Sequence, residues 1–215
     1  MRKLVLGTAA AVLAVAAVPG VAQAAVISSW SLTANADDSA ASNSGIATDV
    51  TFTGSAAVFN GTSSKISVPY NANLSPGSAD VTATVEINTT FMPGTGGFDF
   101  DLLRSAKANP QYKIELYPRS GKAQAQCIFH GSVANTTLHK GPSLNDGAWH
   151  TIICTKTSNQ VSLTVDGTVV GTRAVTIGAI THTSKTPFSI GYKPTSGGGA
   201  DFFHGSIRNA SVSIG

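Results

Sequence analysis

Short stretches in which apolar and polar residues take turns recur along the chain. In residues 81–88, Val81, Ala83, Val85 and Ile87 fall on one side, and Thr82, Thr84, Glu86 and Asn88 on the other. That period of two is what a half-buried β-strand imposes. Residues 98–104 set Phe98, Phe100 and Leu102 against Asp99, Asp101 and Leu103. Residues 112–117 set Tyr112, Ile114 and Leu116 against Lys113, Glu115 and Tyr117, and in residues 122–129 Gln124 and Gln126 oppose Ala125, Cys127 and Phe129. The densest signal is residues 144–173, LNDGAWHTIICTKTSNQVSLTVDGTVVGTR. Turn residues Asn145-Asp146-Gly147 precede a run rich in β-branched side chains, Ser158-Asn159 reverses it, and Val161, Leu163 and Val165 alternate with Ser162, Thr164 and Asp166. Asp166-Gly167 then fits a type I′ hairpin, which needs positive φ at both central residues. The segment therefore predicts three consecutive antiparallel strands. Trp149 is assigned to the core, because one aromatic ring buries so much apolar area, and His150 to the opposite, half-exposed side.

Further strands are expected at 26–32, with Trp30, and on either side of Asn60-Gly61, from Ala56 to Phe59 and from Lys65 to Val68. Residues 37–45 are polar and Ser/Asn-rich, hence a loop. No helical periodicity, repeat or low-complexity linker follows residue 24. The fold class this predicts is all-β, two antiparallel sheets packed as a sandwich.

The first 24 residues differ in kind. Arg2 and Lys3 precede an almost unbroken apolar run from Leu4 to Val18, Pro19-Gly20 breaks it, and Ala22-Gln23-Ala24 fits a small-residue cleavage site. The expectation is a signal peptide over 1–24 and one domain over 25–215, secreted and outside the membrane once the signal is removed. With Arg2 and Lys3 gone, 12 of the 14 basic residues face 11 acidic ones. No basic run remains to draw a phosphate backbone, so nucleic acid is excluded as a partner. Charged residues make up 12% of the chain, half the usual share of about 25%, and Ser and Thr dress the strand surfaces instead. Cys127 and Cys154, an even count in an exported chain, are expected to form a disulfide.

Three separated places carry a resemblance. Asp146-Gly147-Ala148-Trp149-His150 leading through a β-branched strand to Val165-Asp166-Gly167 resembles the central signature of laminin G-like domains. The opening Trp30-containing strand with the Val58-Phe59-Asn60-Gly61-Thr62 run and the Val68-Pro69 step is similar to the jelly rolls of bacterial secreted proteins, and residues 203–209, FHGSIRN, to the closing strand. What this implies is a jelly-roll sandwich of the concanavalin A-like superfamily over nearly all of residues 25–215. It also implies Ca²⁺ at the sandwich rim, held by an Asp side chain and backbone carbonyls. Asp38, Asp146 and Asp201 sit in loops suited to that role, and the sequence selects none of them, so no metal ligand is assigned.

If the middle strands are neighbours, Glu86, Asp99, Asp101, Lys113, Glu115, Tyr117, Gln124 and Gln126 line one outward face. Any antiparallel sheet turns such a polar face to solvent; carboxylates, amides and a ring on one face also suit a glycan. Catalysis is not expected. The superfamily's glucanases alternate Glu, Asp and Glu along one strand, whereas this chain has only Glu86 and Glu115, on different strands. Asp99 and Asp101 form a local acid pair with no Glu beside them and are read as surface or cation-binding residues, and the lyase patterns and a G-x-S-x-G elbow are absent. His150 is given no catalytic part, and the Gly-rich loops at 93–97 and 194–199 lack the strand-to-helix setting of phosphate loops. The reading is a secreted, non-catalytic binding module for carbohydrate. An extracellular structural or protein-interaction domain is the alternative, and a glycan-active enzyme the second.

Overall fold

A computed structural model describes residues 24–94, 99–194 and 201–215. The expected signal peptide, except for Ala24, lies outside these residues, as do Phe98 and most of the two Gly-rich loops. In chain order the strands are β1 (Ala25–Trp30), β2 (Ile46–Thr48), β3 (Thr51–Phe52), β4 (Ala57–Asn60), β5 (Lys65–Val68), β6 (Val81–Asn88), β7 (Phe100–Arg104) and β8 (Gln111–Arg119). They continue as β9 (Lys122–His130), β10 (Asn135–His139), β11 (Trp149–Lys156), β12 (Gln160–Val165), β13 (Thr168–Ala174), β14 (Phe188–Ile190) and β15 (His204–Ile214). One sheet runs β13-β12-β11-β6-β15-β4-β3, with β1 also paired to β15; the other runs β10-β9-β8-β7-β14-β5-β2. Every strand pairing is antiparallel. The architecture is the two-sheet antiparallel sandwich expected from the alternation, in the jelly-roll form that the resemblance implies.

The hairpin logic holds in detail. Asp166 and Gly167 have φ of 49° and 75°, the left-handed pair that a type I′ turn requires, and β12 returns as β13. Asn60-Gly61, by contrast, does not join sheet neighbours. β4 pairs with β15 and β3, while β5 pairs with β14 and β2, so this turn carries the chain from one layer to the other.

The core lies between the layers. Val81, Ala83, Val85 and Ile87 of β6 meet Tyr112, Ile114 and Leu116 of β8 and Phe129 of β9 within one buried cluster. Trp30 is fully buried, stacks on Phe188 with ring centroids 5.4 Å apart, and its Nε1 donates to the Asn43 carbonyl at 2.7 Å. Its bulk is thus buried without stranding its polar atom, worth about 4 kcal/mol of apolar burial. Cys127 on β9 and Cys154 on β11 form the expected disulfide, which ties the two layers together through the core.

Trp149 is not in that core. Ile152 and Cys154 point inward on β11, so period-two alternation turns Trp149 outward, where it is 36% exposed and the Arg208 guanidinium lies 4.1 Å from its ring centroid. The phase set by the apolar partners outweighs the bulk of one ring. His150, expected on the side away from the core, instead shares the inward phase of Ile152 and Cys154, and at the start of β11 it is half-buried and bridges Asp166 (Nδ1 to Oδ2, 2.8 Å) and Asp146 (Nε2 to Oδ1, 2.9 Å). Burial pulls its pKa down, but hydrogen bonds to these two carboxylates, with their negative charge, outweigh that and hold it above the ordinary value.

Candidate functional site

Strands β7, β8 and β9 are consecutive in their sheet, and their pairing builds a polar patch on the face turned away from the core. Asp101 lies across from Glu115, and Glu115 across from Gln126. Two pairs further along, Arg104 lies across from Lys113; at the other end Tyr117 lies across from Gln124. Seven of the eight residues expected on one face therefore belong to one sheet region: Asp99, Asp101, Lys113, Glu115, Tyr117, Gln124 and Gln126. Glu86 does not. It sits on β6 in the opposite sheet, where Arg208 Nε donates to its Oε2 at 2.7 Å and Asn209 Nδ2 to its Oε1 at 3.1 Å. Alternation along one strand fixes a phase but not the sheet to which that strand belongs.

The patch also departs from expectation in burial. Asp101 and Glu115 are wholly buried, and Lys113 and Gln126 are nearly so, whereas a face that simply met solvent would leave them exposed. Tyr117 and Gln124 remain half-buried. The chain near residue 201 runs beside β7: the Asp101 amide donates to the Asp201 carbonyl at 3.3 Å, and Lys193 Nζ donates to Asp201 Oδ2 at 2.6 Å. A bulge in the β7–β8 register between Asp101 and Leu103 lets Leu102 and Leu103 both turn into the core, so the simple alternation expected for this strand breaks there.

Charges in the patch are interlocked. Arg104 Nη1 donates to Asp101 Oδ1 at 3.1 Å and lies 3.8 Å from Glu115 Oε1, while its Nε donates to the Ala106 carbonyl at 2.9 Å. Lys113 Nζ donates to Glu115 Oε1, and Gln126 Nε2 donates to Glu115 Oε2 at 2.8 Å. Asp99, Asp101 and Glu115 each bring a carboxylate oxygen within 4.8 Å of the others. The expectation that Asp99 and Asp101 have no Glu beside them is therefore wrong, because β7–β8 pairing supplies Glu115. Burial, reinforced by the negative charges of Glu115 and Asp101, pushes the Asp99 carboxyl up to about 8. Burial and then Glu115 also raise Asp101, against the pull of Arg104. Asp101 Oδ2 and Asp99 Oδ1 are buried and meet no hydrogen-bond donor; buried polar atoms rarely go unpaired.

Arg104, Lys193 and the Asp201 side chain complete this patch, and none was singled out for it from sequence. Simple alternation puts Arg104, two residues beyond Leu102, on the core side, and the bulge resets that phase. Asp201 and Lys193 arrive from far along the chain. The rim aspartates are otherwise engaged. Asp38 accepts from the amides of Ser29, Ala40 and Asn43 at 2.8, 2.9 and 3.1 Å. Asp146 accepts from the Ala148 amide at 2.8 Å and meets His150.

A family model described as the concanavalin A-like lectin/glucanases superfamily matches residues 59–213. No curated protein matches the sequence significantly. Among solved structures, domain 4 of AbnA, a GH43 extracellular arabinanase from Geobacillus stearothermophilus, in complex with arabinotriose, is similar with a TM-score of 0.66. Identity to it is 15%, over 89% of this chain and 93% of that one. The LG4-5 domains of the mouse laminin alpha1 chain match with a TM-score of 0.55 and 20% identity, over 82% of this chain and 42% of theirs. The binding domain of Paraclostridial Mosquitocidal Protein 1 matches with a TM-score of 0.68 and 12% identity, over 88% of this chain and 48% of that one. The chain thus spans somewhat under half of the latter two. At these identities the likeness is one of fold.

Proposed function

The chain belongs to the concanavalin A-like lectin/glucanase superfamily, and from that premise we propose that it is an exported, non-catalytic carbohydrate-binding module whose ligand lies on the outer face of β7, β8 and β9. The observation that carries this reading is the side-by-side placement of Tyr117 and Gln124 beside Glu115, Gln126 and Asp101 on adjacent strands. A sugar presents hydroxyls that both donate and accept, and a C–H face that packs on an aromatic ring. Gln124 can accept through its Oε1 while its Nε2 donates to the Gly141 carbonyl at 2.7 Å, the half-buried Tyr117 supplies the ring, and the buried Asp101, Glu115 and Gln126 lie beside them. The arabinotriose held by domain 4 of the arabinanase supports the view that this architecture can hold a neutral oligosaccharide. An inter-sheet disulfide persists in oxidising surroundings, which favours export, as does the apolar N-terminal segment. Among the described residues no helix is long and apolar enough to cross a membrane.

One observation favours a hydrolytic reading: Asp99, with its raised pKa, stands near two other carboxyls. Weighing against it, Asp101 and Glu115 are wholly buried and tied to Arg104, Lys113 and Gln126, so neither is free to attack a sugar carbon or activate water. The laminin likeness keeps a protein-interaction role as the rival.

Binding to a panel of soluble plant and microbial polysaccharides tests the proposal. Tyr117→Ala and Gln124→Ala should each weaken the interaction about tenfold, since a lost stacking or hydrogen-bond contact of about 1.4 kcal/mol corresponds to that factor. Binding only to a protein partner, or turnover of a polysaccharide, would overturn it.

A further inference from the structure

We propose that Asp99, Asp101 and Glu115 form a binding site for one Ca²⁺ ion on the outer face of β7 and β8. This goes beyond the glycan reading and stands without it. The three carboxylates reach within 4.8 Å of one another, a span that a cation with ligand oxygens at about 2.4 Å bridges. Proximity alone would be weak support, but Asp101 is wholly buried, and its Oδ2 meets no donor although Arg104 already satisfies Oδ1. Asp99 Oδ1 is likewise buried and unpaired. A buried carboxylate oxygen with no partner is costly unless something positive meets it.

The neighbouring cations leave that role open. Four carboxyl groups, on Asp99, Asp101, Glu115 and Asp201, stand near three basic side chains, Arg104, Lys113 and Lys193. Those cations are already engaged: Arg104 with Asp101 and Glu115, Lys113 with Glu115, and Lys193 with Asp201. Together with the Gln126 amide on Glu115, these contacts fix the positions of the carboxylates, as outer partners do at metal sites. An all-oxygen, carboxylate-rich set selects a hard divalent ion. Several protein oxygens in a buried cluster suit Ca²⁺ better than Mg²⁺, which sheds its water reluctantly. The rim position implied by the sequence resemblance has less to offer, because Asp38 and Asp146 are already hydrogen-bonded within their own turns.

The test titrates CaCl₂ into chain first stripped with a chelator and then dialysed free of it, with heat of binding and melting temperature as readouts. Saturable one-site binding that raises the melting temperature is expected, with MgCl₂ much weaker. Asp99→Asn should weaken Ca²⁺ binding at least about tenfold, because affinity follows the ligand charge count, and Asp146→Asn should leave it unchanged. Asp101→Asn should act like Asp99→Asn; because Asp101 is wholly buried, the half-buried Asp99 variant carries the test if the other fails to fold. No saturable binding up to about 10 mM, beyond the range of extracellular calcium modules, would overturn the proposal. So would loss of binding in Asp146→Asn with none in Asp99→Asn. Ca²⁺ uptake by a chain that binds no glycan leaves this inference standing and overturns the preceding reading; glycan binding by a chain that takes up no Ca²⁺ does the reverse.

Discussion

Removing the Cys127–Cys154 bridge should take away a large part of the fold's stability. The bridge joins β9 of one sheet to β11 of the other, with Cα atoms 5.6 Å apart and 27 residues of sequence separation. Closing a loop of that length in the unfolded chain is worth about 3.5 kcal/mol in the chain-entropy treatment. Both sulfurs are buried, so a Cys127→Ala/Cys154→Ala double variant also loses packing, about 1 kcal/mol or more for the two sites. The total, about 4 to 6 kcal/mol, compares with a whole-domain stability of about 5 to 15 kcal/mol. Guanidinium unfolding at 25 °C reads this directly for three species: oxidised chain, reduced chain and double variant. The denaturant dependence m should rise when the bridge is absent, because an uncrosslinked unfolded chain exposes more surface. The reduced chain should fall between the other two, since it keeps its sulfur volume. Oxidised chain and double variant within about 1 kcal/mol of each other would refute the reasoning and place the tie between the layers in core packing alone.

Three further outcomes are expected. Asp99 titrates higher in the fold than its ordinary 3.8, up to about 8, so between those values the folded chain binds more protons than the unfolded one, and stability declines as pH rises through that window. The decline should amount to about 1 to 3 kcal/mol after allowance for screening. It should shrink in Asp99→Asn, leaving the decline that the raised Asp101 carboxyl contributes, when thermal melts are run from pH 4 to 8 with a chelator present, and a stability that climbs over that range would contradict it. Gly191→Ala should lose about 2 to 5 kcal/mol, because φ at Gly191 is 76° and an added Cβ would run into the buried Phe59 ring, which combines left-handed strain with overpacking; a loss under about 1 kcal/mol in chemical denaturation would show that the β14–β15 connection can shift. Trp149→Ala should cost no more than about 1 kcal/mol, the size of its contact with Arg208, whereas Trp30→Ala should cost about 3 to 5 kcal/mol, so similar losses for the two would contradict their placement.

What could be read from the sequence was whatever is decided within a strand or a turn. The alternation in residues 81–88 reappears as β6 with the same faces and the same bounds, and Asp166-Gly167 turns as its backbone preference dictates. The failures are long-range. Trp149 was assigned by its bulk, while the phase of β11 is set by Ile152 and Cys154. Glu86 shares the polar phase of Glu115, but β6 is hydrogen-bonded into the other sheet. The one-residue bulge beside Asp101 cannot be seen in a pattern of single letters, and it decides which way Leu103 and Arg104 point. Most of the candidate face was legible because β7, β8 and β9 are consecutive in both sequence and sheet. Its burial was not, because Lys193 and Asp201 arrive from a segment far beyond β7, Asp201 lying 201 − 101 = 100 residues after Asp101.

The central claim, that the outer face of β7, β8 and β9 is the ligand surface, is tested most directly by amide chemical-shift mapping with whichever oligosaccharide the binding panel identifies. The account predicts saturable shifts concentrated at residues 99–104, 113–117 and 124–126, with the Trp149 indole signal unmoved. Shifts confined to Trp149, Asn88 and Arg208, on the outer face of the opposite sheet, would contradict it.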